Sequence, residues 1–280
     1  WGDGTTEAAA ISSKTVLAQH AYGDNGAYNV TVTVRDDDGG TSAQSFTATV
    51  ANVAPSLAAL ADQSAVEGAT VGLQGTTFTD PGFLDTHTAT VDWGDGSTEA
   101  AAVSSKTVSA QHVYGDNGAY TVTVTVNDDD GGTVARSFTT TVANGAPSLA
   151  ALVDQNAAEG SLISLQGASF SDPGSLDTHS ATVNWGDGTV EAAAVASRTV
   201  QAQHAYGDNG DYTVTVTVAD DDGGTSARSF TATVGNVAPA LAALADQTAN
   251  EGFLVSLEGA AFTDPGFLDT HAATVNWGDG

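Results

Sequence analysis

Residues 119–127 read AYTVTVTVN, and this stretch decides the fold. Tyr120, Val122, Val124 and Val126 fall on one face and threonines on the other. Alternation with a period of two marks a strand buried on one side, whereas a helix needs apolar residues three and four apart. Neighbouring stretches carry the same period. THTATVDW (86–93) turns Ala89, Val91 and Trp93 inward; KTVSAQHVY (106–114) groups Val108, Ala110, His112 and Tyr114; VARSFTTTV (134–142) adds Phe138 and Val142. Weaker strands are read at SLAAL (56–60) and ATVGLQG (69–75). LAALADQ (57–63) has the alanine content of a short helix, but its place between a proline and a Glu-Gly turn favours strand.

The punctuation between strands is equally regular. WGDGS (93–97) sets two glycines around Asp95, a tight hairpin in which that carboxylate accepts backbone N–H bonds. YGDNGAY (114–120) holds the turn pair Asn117-Gly118, after which Tyr120 is placed to cap the loop through its hydroxyl.

WGDG occurs four times, its tryptophans always 92 residues apart, at Trp1, Trp93, Trp185 and Trp277. Residues 93–184 and 185–276 align without a gap at about three-quarters identity. Such a unit is too long for a solenoid repeat of roughly 20–50 residues and suits a small autonomous domain. Pro55, Pro147 and Pro239 follow long alternating runs, so boundaries are expected there. This gives the C-terminal part of a domain at 1–53, complete domains at 54–145 and 146–237, and the N-terminal part of a fourth at 238–280. The chain reads as a window from a longer thread. Seven short strands in about 90 residues predict an all-β array of tandem immunoglobulin-like β-sandwiches, beads in a row.

Composition narrows the function. Asp and Glu outnumber Lys and Arg by 34 to 6, for a net charge of −28. Such a surface repels nucleic acid and anionic membranes and attracts divalent cations. There is no cysteine, hence no disulfide staple, and no apolar stretch approaches the roughly 18 residues of a membrane span. Absence of Cys and Met together with acidity points outside the cell.

WGDG followed nineteen residues later by HVYGDNGAYTVTVTVNDDDGG (112–132) resembles the polycystic-kidney-disease (PKD) domain family. One detail departs from the usual motif: Gly94 follows Trp93 directly, where an aromatic residue normally intervenes. The resemblance implies an immunoglobulin-like sandwich of bacterial or archaeal extracellular proteins, secreted hydrolases and animal receptors. It also implies a spacer or contact module without catalytic residues, in which some members bind calcium near the linker.

Two acidic loops bear on that last point: TDPGFLDTH (79–87), with Asp80 and Asp85, and NDDDGGT (127–133), with Asp128, Asp129 and Asp130. Strand parity sends both to the end where the domain begins, onto the proline linker. Calcium takes six to eight oxygens at about 2.3–2.6 Å from flexible loops. Asp80, Asp85, Asp128 and Asp130, with a linker carbonyl or Asn52, are the expected donors. Their counterparts are Asp172, Asp177, Asp220 and Asp222, with Asp36 and Asp38, and Asp264 and Asp269, in the partial domains. Without a cation these carboxylates repel one another. The plainer alternative is a solvated turn. Glu67, Asp95 and Asp116, at the opposite pole, read as turn residues rather than cross-junction ligands.

His87 and His112 alternate in phase with buried residues and are expected to bond backbone groups; no spacing supports zinc or a nucleophile. Asn29-Val30-Thr31 matches a glycosylation acceptor but lies mid-strand. The expected function is a non-enzymatic, extracellular stalk or fibre of a surface or matrix protein, stiffened by calcium. Its partners would be further copies of the repeat, joined laterally or head to tail, with no nucleic acid and no membrane insertion. The alternative is an accessory module that grips a glycan or a surface protein.

Overall fold

The computed structural model describes residues 1–279, and among them every regular element is a strand. The fourth WGDG turn ends on Gly280, outside the described residues. The chain forms two compact units, 1–143 and 144–280.

In the first unit, residues 52–143 form an immunoglobulin-like sandwich. Its larger layer runs Thr107–Ser109, Thr98–Ser104, His87–Asp92, Gly118–Asp128, Thr133–Ala143, Gln63–Val66. All neighbours are antiparallel except the last pair, which is parallel. The facing layer consists of two short ladders, Thr70–Gly72 with Gln111–Val113 and Ser56–Leu57 with Phe78–Thr79.

The core follows the alternation. Val122, Val124 and Val126 are fully buried and pack with Val91, Trp93 and Phe138 against Leu57, Val71 and Phe78 of the facing layer. Burying each valine stabilises by about 1.5–3 kcal/mol.

Residues 1–50 of the same unit carry two hairpins, Ala10–Ser12 with Thr15–Leu17 and Gly26–Arg35 with Thr41–Val50. Val30 opposes Phe46 just as Val122 opposes Phe138 one period later. Val32, Val34 and Phe46 are exposed here.

In the second unit, residues 144–235 repeat the sandwich, with the order Gln155–Ala158, Thr225–Gly235, Gly210–Asp220, His179–Asn184, Val190–Ala196, Thr199–Gln201. Its core gathers Leu149, Ile163, Phe170, Val183, Trp185, Val214, Val216 and Val218. Beyond it Ala240–Leu241 pairs with Phe262–Thr263.

Two predicted strands prove to be broken. LAALADQ is neither one strand nor a helix. Ser56–Leu57 joins the small layer, residues 58–62 cross over, and Gln63–Val66 enters the large one. Asp62 fixes the crossing by accepting the Thr139 backbone N–H at 2.7 Å. KTVSAQHVY likewise divides at Ala110, so Thr107–Ser109 belongs to one layer and Gln111–Val113 to the other. A change of partner sheet leaves the alternation intact, which is why each read as one strand.

Candidate metal centre

Each repeat has two poles. At one, the WGDG hairpin sits on a column of rings. Trp93 stacks on His112, His112 meets Tyr114 edge-on, and Tyr114 stacks on Tyr120. The Trp93 indole N–H donates to Glu99, and the Tyr114 hydroxyl donates to the Trp93 carbonyl at 2.9 Å. Asp95 accepts the Ser97 N–H at 3.0 Å, and its other oxygen lies 2.6 Å from His112 Nε2. The Tyr120 hydroxyl donates to the carbonyls of Asp116 and Asn117, closing the GDNG loop. The histidines therefore contact carboxylates rather than the expected backbone groups; His87 Nε2 lies 3.0 Å from Asp80.

The other pole is acidic. Asp80 has a fully buried side chain. One of its oxygens accepts the Gly82 N–H at 2.9 Å, the other faces His87, and its carbonyl accepts Lys106 Nζ at 2.8 Å. Asp128 turns one oxygen to the N–H groups of Asp130 and Gly132 and accepts the Asn52 amide on the other at 3.0 Å. Asp129 leaves the group and ties the two loops together by accepting the N–H and hydroxyl of Thr86, each at 3.0 Å. Asp85 brings a buried oxygen, Oδ1, without a hydrogen-bond partner.

Asp80, Asp85 and Asp128 each offer an oxygen within 4.8 Å of the others. Ligands on opposite sides of a calcium ion are separated by about 4.6–5.2 Å, twice the Ca–O distance. The three therefore fit around one ion. Asp130 turns instead toward Asp24 of the preceding repeat, and Asp24, Asp85 and Asp130 form a second group of the same dimensions. Asp85 belongs to both.

The second unit repeats the first group as Asp172, Asp177 and Asp220. His179 contacts Asp172 at 2.9 Å, the Asn144 amide donates to Asp220 at 3.1 Å, and Asn144 Oδ1 is buried without a partner. The Asp222 backbone N–H donates to Asp220. In the partial repeats the predicted residues have fewer neighbours. Asp36 accepts the Gly40 N–H and Asp38 is exposed, in a segment with no TDPG loop beside it. Asp264 contacts His271 at 2.8 Å, and Asp269 groups with Glu159 and Asp208 of the preceding repeat. Asp24 and Asp208, from GDNG loops whose Asp116 was read in the sequence as a turn residue, thus stand beside the acidic loop of the next repeat.

The electrostatics record the crowding. Burial, then Asp80, Asp24, Asp129 and Asp130, push the Asp85 carboxyl above the ordinary carboxylate range. Burial followed by Asp24 and Asp129 does the same to Asp130. The Asn52 amide, with the Gly132 and Asp130 N–H groups, holds Asp128 below it. Hydrogen-bonded and mutually repelled carboxylates thus lie a few ångströms apart. All donors are oxygens, which suits calcium rather than zinc.

The model of the PKD domain family matches residues 1–50, 52–143 and 144–234. The chain belongs to the PKD domain family. No curated protein matches these PKD repeats. Among solved structures, the human desmocollin-1 ectodomain aligns at 13% identity over 77% of this chain and 49% of its own, with a TM-score of 0.34. This chain thus spans about half its length. Mouse cadherin-23 EC22–24 aligns at 14% identity over 79% and 78% of the two chains, TM-score 0.32. The fibronectin(III)-like modules of Clostridium thermocellum CbhA align at 16% over 64% and 93%, TM-score 0.28. Among the described residues no helix is long and apolar enough to cross a membrane, a finding that leaves membrane β-barrels unaddressed.

Proposed function

We propose that this chain is part of an extracellular, non-enzymatic structural array in which PKD repeats serve as spacers and calcium at the acidic poles stiffens each linker. One observation carries the reading: the TDPG and DDDGG loops bring Asp80, Asp85 and Asp128 within ligand distance of one another, and Asn52 of the linker is bonded into the same group. An ion held there fastens the linker to the repeat that follows it. The alternative of a glycan-gripping module lacks support from the aromatics, since Trp93 and Trp185 are fully buried and offer no stacking platform. Lateral association into a fibre belongs to the same proposal and is supported by the Thr- and Ser-rich outer face of the large sheet, where Thr123 bonds Ser137 and Asp92 is the charged neighbour opposite Thr123.

The test is thermal unfolding and solution scattering of the full chain in calcium and in chelator. The reading requires a higher melting temperature and a narrower distribution of interrepeat distances with calcium. Identical melting and scattering in both conditions would end it.

A further inference from the structure

We infer that the junction between successive repeats holds a second divalent cation, shared across the linker, and that Glu159 is the buried ligand supplied by the preceding repeat. The inference rests on the reading of the acidic pole as a calcium pole and adds a separate site to it. Glu159 has 0% exposure. Its Oε1 accepts the backbone N–H of Val237 in the linker, while Oε2 is buried with no hydrogen-bond partner. A buried carboxylate oxygen without a donor costs several kcal/mol unless an ion or proton compensates it.

The group around that oxygen is assembled from three segments. Glu159 is pinned by its own N–H to Gly235 O at 3.0 Å, and the adjoining Gly160 N–H bonds Tyr206 O at 2.8 Å. Asp208 comes from the GDNG loop and Asp269 from the PGFLD loop of the next repeat, and the three offer oxygens within 4.8 Å of one another. The PGFLD loop is seated on the preceding repeat. Leu268 N–H donates to Gly207 O at 2.9 Å, and a Cβ at Gly160 would lie 2.5 Å from Pro265 O. Only glycine permits that approach, so this geometry is a packed junction and not a chance meeting of loops.

The first unit shows the same arrangement two periods earlier in the chain. Leu84 N–H donates to Gly23 O at 3.1 Å, and Asp24 and Asp85 meet as Asp208 and Asp269 do, with Asp130 added. Combined over the period, the site offers four carboxylates: a Glu159-type, an Asp208-type, an Asp269-type and an Asp130-type. Burial and the charges of Glu159, Asp264 and Asp208 push the Asp269 carboxyl upward. Four carboxylates from separate loops, with water completing the shell, suit the larger and more adaptable calcium ion over magnesium.

The experiment is a calcium titration of the chelator-stripped full chain by calorimetry, comparing Glu159→Gln, Asp208→Asn and Asp172→Asn. Glutamine keeps the Oε1 acceptor for Val237 and removes the charge, and Asp208 is an exposed loop position whose change leaves folding intact. Glu159→Gln and Asp208→Asn should each weaken one calcium site at least tenfold, and Glu159→Gln should melt no lower than the parent in chelator. Asp172→Asn should weaken a different site, with the two losses adding in the double variant. Unchanged stoichiometry and affinity in both Glu159→Gln and Asp208→Asn would overturn the shared site. Loss of binding in these two with none in Asp172→Asn would sustain it and overturn the site within the repeat instead.

Discussion

Gly94 is the residue at which the WGDG turn meets the long strand, and exchanging it for alanine isolates that contact. Gly94 has φ of +82°, and a Cβ there would lie 2.6 Å from the Thr121 carbonyl oxygen and 2.9 Å from its nitrogen. Gly96, two residues on, has φ of +95° and nothing within 4 Å of a Cβ. Both substitutions incur the left-handed backbone penalty, about 1–2 kcal/mol. Only Gly94→Ala must also push backbone away from backbone, an overpacking cost of about 1–3 kcal/mol more. The expected losses are about 2–5 kcal/mol for Gly94→Ala and about 1–2 kcal/mol for Gly96→Ala. Scanning calorimetry of the full chain in chelator reads the difference, since each kcal/mol moves the midpoint of a domain this size by about 4–8 °C. Gly186 repeats the contact against Thr213 and should behave as Gly94 does. Equal losses at positions 94 and 96 would refute the reasoning, because the turn would then not be seated on the Thr121 backbone.

Other perturbations test separate parts of the account. Tyr114→Phe removes the buried hydroxyl that donates to Trp93 O and should cost about 1 kcal/mol in urea denaturation. Val124→Ala, at a fully buried position, should cost about 2 kcal/mol from two lost methyl groups and the space they leave. Burial opposes ionisation of Asp95, but its bonds from Ser97 and His112 prevail and hold its carboxyl below the ordinary 3.8. A depressed folded value means stability present above pH 3.8 and lost as the pH falls through the folded value. Asp95→Asn should therefore flatten the acid limb of a stability profile measured in chelator.

Much of this architecture was legible in the sequence because one face of each long strand is buried. Alternation at 119–127 and 86–93 assigns Val122, Val124, Val126, Ala89, Val91 and Trp93 to the core, and these residues are buried. Ala58, Ala59, Ala61 and Ala110 were not legible as crossing points, because alanine suits either side of a strand and a change of sheet does not disturb the period. The parallel edge strand Gln63–Val66 is held by Asp62 and the Thr139 N–H, a long-range bond with no local signal. Strand parity foretold that the two acidic loops share a pole. It could not divide their members, since loop conformation sends Asp129 to Thr86 and Asp130 to Asp24 while Asp80, Asp85 and Asp128 stay together. Glu159 was set aside with its counterpart Glu67 as a turn residue for a similar reason: a Glu-Gly pair reads as a turn until the linker closes over it.

The most direct measurement is anomalous scattering from crystals of the full chain grown in calcium. A calcium peak is expected about 2.3–2.6 Å from carboxylate oxygens of Asp80, Asp85 and Asp128, with another among Asp172, Asp177 and Asp220. Well-ordered acidic loops at saturating calcium with no peak at either place would contradict it.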